Sequence, residues 1–201
     1  MNITRGFTGL RRGERAGLPP GQYDAREEWP VLSAEVTPEL SPSDWSFRLG
    51  GLVAEPREWD WEAAHRLPSD TFEGDIHCVT GWSRSGMRFG GVCLDVFLRA
   101  CRPLASATHA VAYAHTGYTA GLPLADLTDG RAWIVWECDG EPLTPEHGGP
   151  ARLVVPHLYF WKSVKWVAGL ELLDHDSPGF WEGNGYHARG NPWEEQRYSG
   201  D

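Results

Sequence analysis

The stretch Asp75-Ile76-His77-Cys78-Val79-Thr80-Gly81-Trp82-Ser83 places a cysteine directly after a candidate strand and before a turn. Residues 72–79 read as a strand that delivers Cys78 near its end. Downstream, Gly149-Pro150-Ala151-Arg152-Leu153-Val154-Val155-Pro156 leads into Tyr159-Phe160-Trp161-Lys162-Ser163-Val164-Lys165-Trp166, where two lysines sit among aromatics. A thiolate is a soft metal ligand, whereas arginine and lysine suit an anionic group. The two stretches therefore suit opposite ends of one ligand.

Outward from the cysteine, short strands and short helices follow one another. Residues 45–49 alternate apolar and polar, which predicts a half-buried strand ended by Gly50-Gly51. Residues 59–67 can make a short helix stopped by Pro68. Gly90-Gly91 introduce a helical segment over residues 92–98, terminated by Pro103. Residues 109–115 read as a strand broken by Gly117-Tyr118-Thr119, and residues 122–127 as a short helix or turn. A strong strand over residues 132–138 ends in a hairpin-type turn at Asp139-Gly140. Residues 152–155 and 163–173 complete the strand set. With no regular βαβ alternation, the pattern predicts an α+β fold, β-rich, with mixed sheets and short helices.

The 201 residues fit one domain, 1–201, able to bury a sizeable core. Residues 1–43 carry Gly, Pro and charge without a periodic apolar face, and Leu18-Pro19-Pro20-Gly21-Gln22 must be extended or turned. This segment reads as an arm lying across the body, a disordered tail being the alternative. Residues 176–201 look irregular, interrupted by Gly, Trp and Asn.

A net charge of −10 argues against a general nucleic-acid binder, yet it leaves room for a small basic pocket. Arg5, Arg11, Arg12, Glu14 and Arg15 crowd the beginning in place of an apolar run. Neither a secretory signal nor a membrane span is expected, and a cytoplasmic location follows. Cys78, Cys93, Cys101 and Cys138 form no CxxC pair, zinc-finger spacing or haem-attachment motif, so free thiols are expected.

From spacing alone, Cys78 reads more simply as a small buried hydrophobe than as a ligand. His77 alternates to the other strand face, so the pair does not readily chelate one metal. A Cys–His nucleophile would need a distant histidine such as His109, His115 or His147. Arg152, Lys162 and Lys165 can hold a phosphate or carboxylate; an ordinary salt-bridged surface strand is the alternative. Gly183-Asn184-Gly185-Tyr186-His187-Ala188 matches a dinucleotide-binding pattern by letter, but no strand precedes it and no helix pattern follows. Asp174, His175 and Asp176 suit a hard cation or a solvated turn.

Together these stretches resemble the molybdenum-cofactor domain of the sulfite oxidase family, in its compact stand-alone bacterial form without a haem domain. The likeness begins near Pro19-Pro20-Gly21-Gln22 and includes Cys78-Val79-Thr80-Gly81-Trp82-Ser83 and Gly117-Tyr118-Thr119. It continues through the 149–156 and 159–166 stretches to Gly179-Phe180-Trp181, Gly185-Tyr186-His187 and Asn191-Pro192-Trp193-Glu194-Glu195-Gln196-Arg197-Tyr198. The resemblance implies a molybdenum ion held by a pterin dithiolene, oxo ligands and the thiolate of Cys78. It implies that Arg152, Ser163 and Lys165 contact the molybdopterin, with Lys162 and His77 beside them and His147 as a further polar contact. His115 and Thr116 stand in a similar place after the middle strand, their register open.

The reaction implied is two-electron oxygen-atom transfer, with electrons exchanged with a separate redox carrier. Its substrate would be a small oxyanion or an S- or N-oxide, with no nucleic-acid or membrane partner. Arg84 or Arg88 would serve as the substrate arginine, in a register that departs from the family pattern. Phe160 likewise stands where a small residue is expected before Trp161. A sulfite oxidase-like reaction is the main expectation. An S-oxide or N-oxide reductase of the same cofactor class, or a cofactor-free binding protein on the same scaffold, are the alternatives.

Overall fold

The computed structural model describes residues 17–201. The charged opening from Arg5 to Arg15, and the first part of the expected arm, lie outside the described residues.

Two sheets carry the chain. The first contains β1 (Tyr23–Asp24), β4 (Asp70–His77), β5 (Trp82–Cys93), β8 (Trp133–Cys138), β9 (Glu141–Pro142) and β10 (Arg152–Val154). Its main path runs β1-β5-β8-β10, with β4 also on β5 and β9 on β8. The second contains β2 (Ser46–Gly51), β3 (Arg57–Asp60), β6 (His109–Ala114), β7 (Thr119–Pro123) and β11 (Val167–Leu173), in the order β3-β2-β11-β6-β7. Three short helices complete it: α1 (Trp61–His65), α2 (Leu94–Cys101) and α3 (Phe180–Gly183). The expected mixed α+β architecture, with several sheets and short helices, is what forms. No helix among the described residues is long and apolar enough to cross a membrane.

Periodicity explains most of the elements. In β2, Phe47 and Leu49 are fully buried while Arg48 between them is exposed. In α2, Leu94, Phe97, Leu98 and Cys101 are buried at i, i+3, i+4 and i+7, one helical stripe against the larger core. In β8 both faces are covered. Ile134 and Trp136 join the larger core between the sheets, and Val135 joins a smaller cluster with Ile76, Trp82, Phe89 and Val154. Cys78 lies in that smaller cluster, on the outer face of the first sheet.

Several boundaries differ from the sequence-based expectation, some for local and some for tertiary reasons. Trp59 belongs to β3, and α1 starts only at Trp61, because the Asp60 carboxylate caps it by accepting from Ala63 N at 2.7 Å. Gly90 and Gly91 do not open a helix but lie inside β5, whose register against β8 shifts between them. A Cβ on Gly91 would sit 2.1 Å from the Ile134 carbonyl oxygen, so glycine is required by the closeness of β8. The polar run Ser83-Arg84-Ser85-Gly86 hides β5 from a pattern search, although β5 is 12 residues long. Residues 160–162 form a single 3₁₀ turn, and the strand expected from 163 begins at Val167. Leu124–Asp126 is likewise a 3₁₀ turn after β7.

Gly91→Ala is expected to destabilise the chain by about 3 kcal/mol, the scale of overpacking against fixed backbone. Gly183→Ala, where the added methyl meets nothing within 4 Å, should stay within about 1 kcal/mol of wild type. Urea denaturation of the two variants checks the contrast.

Candidate functional site

Cys78 lies one residue beyond β4, in the turn that returns the chain into β5. Its N–H donates to Trp82 O at 2.8 Å and its carbonyl accepts from Gly81 N at 3.0 Å. Gly81 closes the turn at φ +105°, a conformation that favours glycine. The Cys78 Sγ lies 3.1 Å from Thr80 Oγ1 and is almost fully buried. Burial pushes the thiol pKa up, opposed by Thr80 hydrogen bonds and weakly by the Arg197 charge. Left alone, this sulfur stays protonated; a coordinated metal would deprotonate it.

The thiol lines a cavity of about 350 Å³. The irregular segment Trp29 to Glu35 forms one wall, and Trp161, Trp181 and Tyr186 form another. At the end supplied by β10 and the turn after it sit Arg152, Ser163 and Lys165. Arg152 is 1 % exposed and meets no carboxylate among the described residues. Its guanidinium donates to His147 O and Ser163 O, both at 2.7 Å, and lies 4.2 Å from the Phe160 ring centre. Burial depresses its pKa to about 9. Lys165 Nζ donates to Leu32 O at 2.9 Å and Glu146 O at 2.7 Å. Burial, then the Arg152 charge, lowers its pKa to about 8.

Among the described residues these two cations are held by carbonyls and ring faces, an arrangement that could receive an anion inside an acidic protein. Glu35 also lines the cavity, but its carboxylate accepts from Thr116 Oγ1 at 2.5 Å. The carboxylate charge that acts on Lys165 is that of Glu146, and it only partly opposes burial and the Arg152 charge. His147 stacks on Trp29 with ring centres 4.0 Å apart and hydrogen-bonds Trp29 O through Nε2 at 3.0 Å. That bond makes Nε2 the donor, so Nδ1 accepts from Thr144 Oγ1 at 3.0 Å.

Of the residues singled out from sequence, Cys78, His147, Arg152, Ser163 and Lys165 line this one cavity. The others lie outside its lining. His77 turns to Ser83 behind the Cys78 turn. Lys162 is buried beneath the wall, donating to Glu182 Oε1 at 2.5 Å, Gly121 O at 2.6 Å and Ala188 O at 2.5 Å. His115 Nε2 meets Ser46 O at 3.0 Å, and Thr116 acts from outside by holding Glu35. Arg84 pairs with Asp139 at 2.8 Å, and the exposed Arg88 donates its backbone N–H to the same carboxylate. Sequence reasoning did not single out Trp29, Glu35, Tyr118, Trp181 or Tyr186 as lining residues, although Tyr118, Trp181 and Tyr186 lie in stretches that carry the family resemblance. The wall segment has no periodicity to mark it, so only the fold brings it here.

The profile of the family described as "Oxidoreductase molybdopterin binding domain" matches residues 34–181. The chain belongs to this family. It is 38 % identical over 196 residues to the uncharacterized oxidoreductase YuiH of Bacillus subtilis (strain 168), covering 97 % of this chain and 99 % of that one. It is 29 % identical to the protein-methionine-sulfoxide reductase catalytic subunit MsrP of Gluconobacter oxydans (strain 621H), over 75 % of this chain and 55 % of the relative's length. Among solved structures, the sulfane dehydrogenase SoxCD from Paracoccus pantotrophus is similar at a TM-score of 0.64 and 26 % identity. That match covers 70 % of this chain and 41 % of the other.

The residues present fit the cofactor that the family name carries. Among the described residues no group of three or more His, Cys, Asp or Glu side chains is placed to hold a metal. A metal here would take Cys78 from the protein and bring its remaining ligands with it, as a pterin-bound ion does. Arg152 and Lys165 could hold an anion, and the buried Trp82 Nε1–H, also in the lining, has no acceptor among the described residues. The aromatic walls suit a flat ring system.

Lys165 also makes stability depend on pH. Its folded pKa, about 8, lies below the ordinary 10.5. Below about pH 8 it is charged in both states and the burial penalty is complete; as pH rises towards 10.5 the penalty fades. The stability of the cofactor-free wild type relative to Lys165→Met should therefore rise across that window, read by urea denaturation at several pH values.

Proposed function

We propose that the chain is a molybdenum-cofactor-dependent oxidoreductase working by two-electron oxygen-atom transfer, in the direction of S-oxide or N-oxide reduction. One observation carries the reading: a buried thiol shares an aromatic-walled cavity with two cations that form no ion pair with a carboxylate among the described residues. The name of the methionine-sulfoxide reductase relative supports the reductive direction. So does the position of Arg84 and Arg88, outside the lining, because a sulfite dianion would call for arginines near the metal. A neutral S-oxide does not.

In this reading Cys78 is the protein's ligand to molybdenum, and Arg152 and Lys165 bind the pterin phosphate with the Ser163 hydroxyl beside them. The bound cofactor supplies the two-electron chemistry; the protein orients it and controls access. Arg152 is held by two carbonyls and an aromatic face, so its fork is set before the anion arrives. Trp161, Trp166 and Trp181 exclude water from the cavity. Tyr186 lines the same cavity as Cys78, and its hydroxyl would donate a hydrogen bond, and then a proton, to the substrate oxygen. Two electrons come from outside through a separate carrier and two protons from solvent, one of them relayed by Tyr186, which is reprotonated each turnover; MsrP is by name a catalytic subunit, which supports a partner of that kind.

The test is expression in a host that makes the pterin cofactor, followed by metal analysis and assays in both directions. Near-stoichiometric molybdenum and sulfoxide-dependent oxidation of a reduced dye are expected, with Cys78→Ala inactive. Turnover of sulfite with an acceptor, and none with sulfoxides, would restore the sulfite oxidase-like reading. Metal-free wild type from a host that loads a control enzyme would favour a cofactor-free binding protein. Arg152→Met should retain less molybdenum while the cofactor-free chain stays as stable as wild type, since it replaces a buried, carboxylate-free cation by an apolar chain. Tyr186→Phe should lower kcat on the order of 10²-fold with molybdenum content unchanged.

A further inference from the structure

Behind the Cys78 turn, on the side away from the cavity, lies a chain of buried polar groups with no place in the mechanism above. Gln22 and His77 are each 4 % exposed and Ser83 is fully buried. Gln22 Nε2 donates to the Cys78 carbonyl at 3.1 Å, and Gln22 Oε1 accepts from Ser83 Oγ at 3.2 Å. Ser83 Oγ lies 2.8 Å from His77 Nδ1. The hydroxyl has one hydrogen and gives it to Gln22, so His77 Nδ1–H must be the donor in that contact. Each donor thus points toward the cysteine: His77 to Ser83, Ser83 to Gln22, Gln22 to Cys78 O. Bonds aligned in this way reinforce one another where water is excluded.

Gln22 arrives from a segment remote in sequence and is itself held. Its N–H donates to Pro19 O at 3.2 Å, and its neighbour Tyr23 N donates to Gly81 O at 2.8 Å. Arg197 ties the same turn from the other side, donating to Val79 O at 2.5 Å and Pro20 O at 3.3 Å. The Cys78 carbonyl direction sets the peptide plane that follows it. With the Cys78 N–H already given to Trp82 O, it fixes where the Cα–Cβ bond points, and so where the thiol starts from.

We propose that Gln22 is a positioning residue for the metal-binding thiol: its amide clamps the Cys78 carbonyl and, through Ser83, carries the restraint back to His77. The proposal rests on the reading of Cys78 as the molybdenum ligand. An amide suits the task because it donates at one end and accepts at the other. A ligand's orientation is commonly set by partners of this kind one bond removed from the metal.

The test uses the full chain, loaded and cofactor-free, with Gln22→Met, Gln22→Glu and Cys78→Ser. Gln22→Met removes both hydrogen bonds at similar length; Gln22→Glu keeps the acceptor for Ser83 and loses the donor to Cys78. Trp45→Phe is the structural control, since it deletes a buried hydrogen bond to Val167 O in the other sheet. Two quantities are read: the molybdenum electron paramagnetic resonance spectrum of the loaded protein, and the rate of Cys78 alkylation in the cofactor-free protein. Both Gln22 variants should shift the spectrum and alkylate about tenfold faster, the scale of one lost buried hydrogen bond, while Trp45→Phe matches wild type.

A wild-type spectrum or a wild-type alkylation rate in both Gln22 variants overturns the assignment, as does an equal change in Trp45→Phe. If Cys78→Ser itself leaves the spectrum unchanged, the ligand reading fails and the positioning role falls with it. If Gln22→Met does not fold, Ser83→Ala, which cuts the chain one link further back, must give a smaller shift in the same direction. A wild-type spectrum there overturns the proposal equally.

Discussion

A guanidinium buried without a carboxylate is the condition around which the cavity is organised. Removing the Arg152 charge from water costs several kcal/mol unless partners replace the lost hydration. Here the replacement is partial: carbonyls of His147 and Ser163, and the faces of Phe160 and Trp29. These satisfy hydrogen bonds without neutralising charge. Burial shifts both basic groups toward their neutral forms, and the Arg152 charge adds to the shift of Lys165. A bound anion reverses both shifts, so binding energy and folding energy are linked through the same two side chains.

The three basic residues of the 152–165 region divide between two tasks. Arg152 and Lys165 face the cavity, whereas Lys162 is turned under it, where it joins β7 at Gly121, α3 at Glu182 and the tail at Ala188. Lys162 therefore builds the wall that carries Trp181 and Tyr186. Trp161 strengthens that wall, donating its Nε1–H to the same Glu182 at 3.0 Å and meeting the Tyr186 ring edge-on. The residue's charge is spent on architecture, not on a ligand.

The opposite wall is held differently. Residues 29–35 form no strand or helix, and they meet the body through the Trp29 and Leu32 carbonyls and the Glu35 carboxylate. Their partners, His147, Lys165 and Thr116, are residues of the anion end or its margin. With exposed backbone and few ladder hydrogen bonds, this wall belongs to the low-stability part of the structure. One side of the cavity is thus rigid sheet and the other an irregular segment fastened by the groups that would meet the cofactor.

Local pattern alone determined the elements whose burial follows a simple period: β2, β6, β8 with its Asp139-Gly140 turn, and the buried stripe of α2. Motif order pointed to a molybdopterin-binding oxidoreductase domain, and it named Cys78, Arg152, Ser163 and Lys165, which line one cavity. What local pattern could not carry were features caused by distant contacts. β5 was hidden because its two glycines answer to the approach of β8, a relation across more than 40 positions of chain. Spacing placed Lys162 beside Lys165, yet a 3₁₀ turn at residues 160–162 sends it to the far side of the wall. Gln22 stood in a recognisable Pro-Pro-Gly-Gln run, but nothing in that run says that its amide reaches Cys78, 56 residues away. Periodicity reports which face of an element is dry; which side chains share a cavity is set by how the sheets and the irregular segments close on one another, and only the tertiary structure decided that.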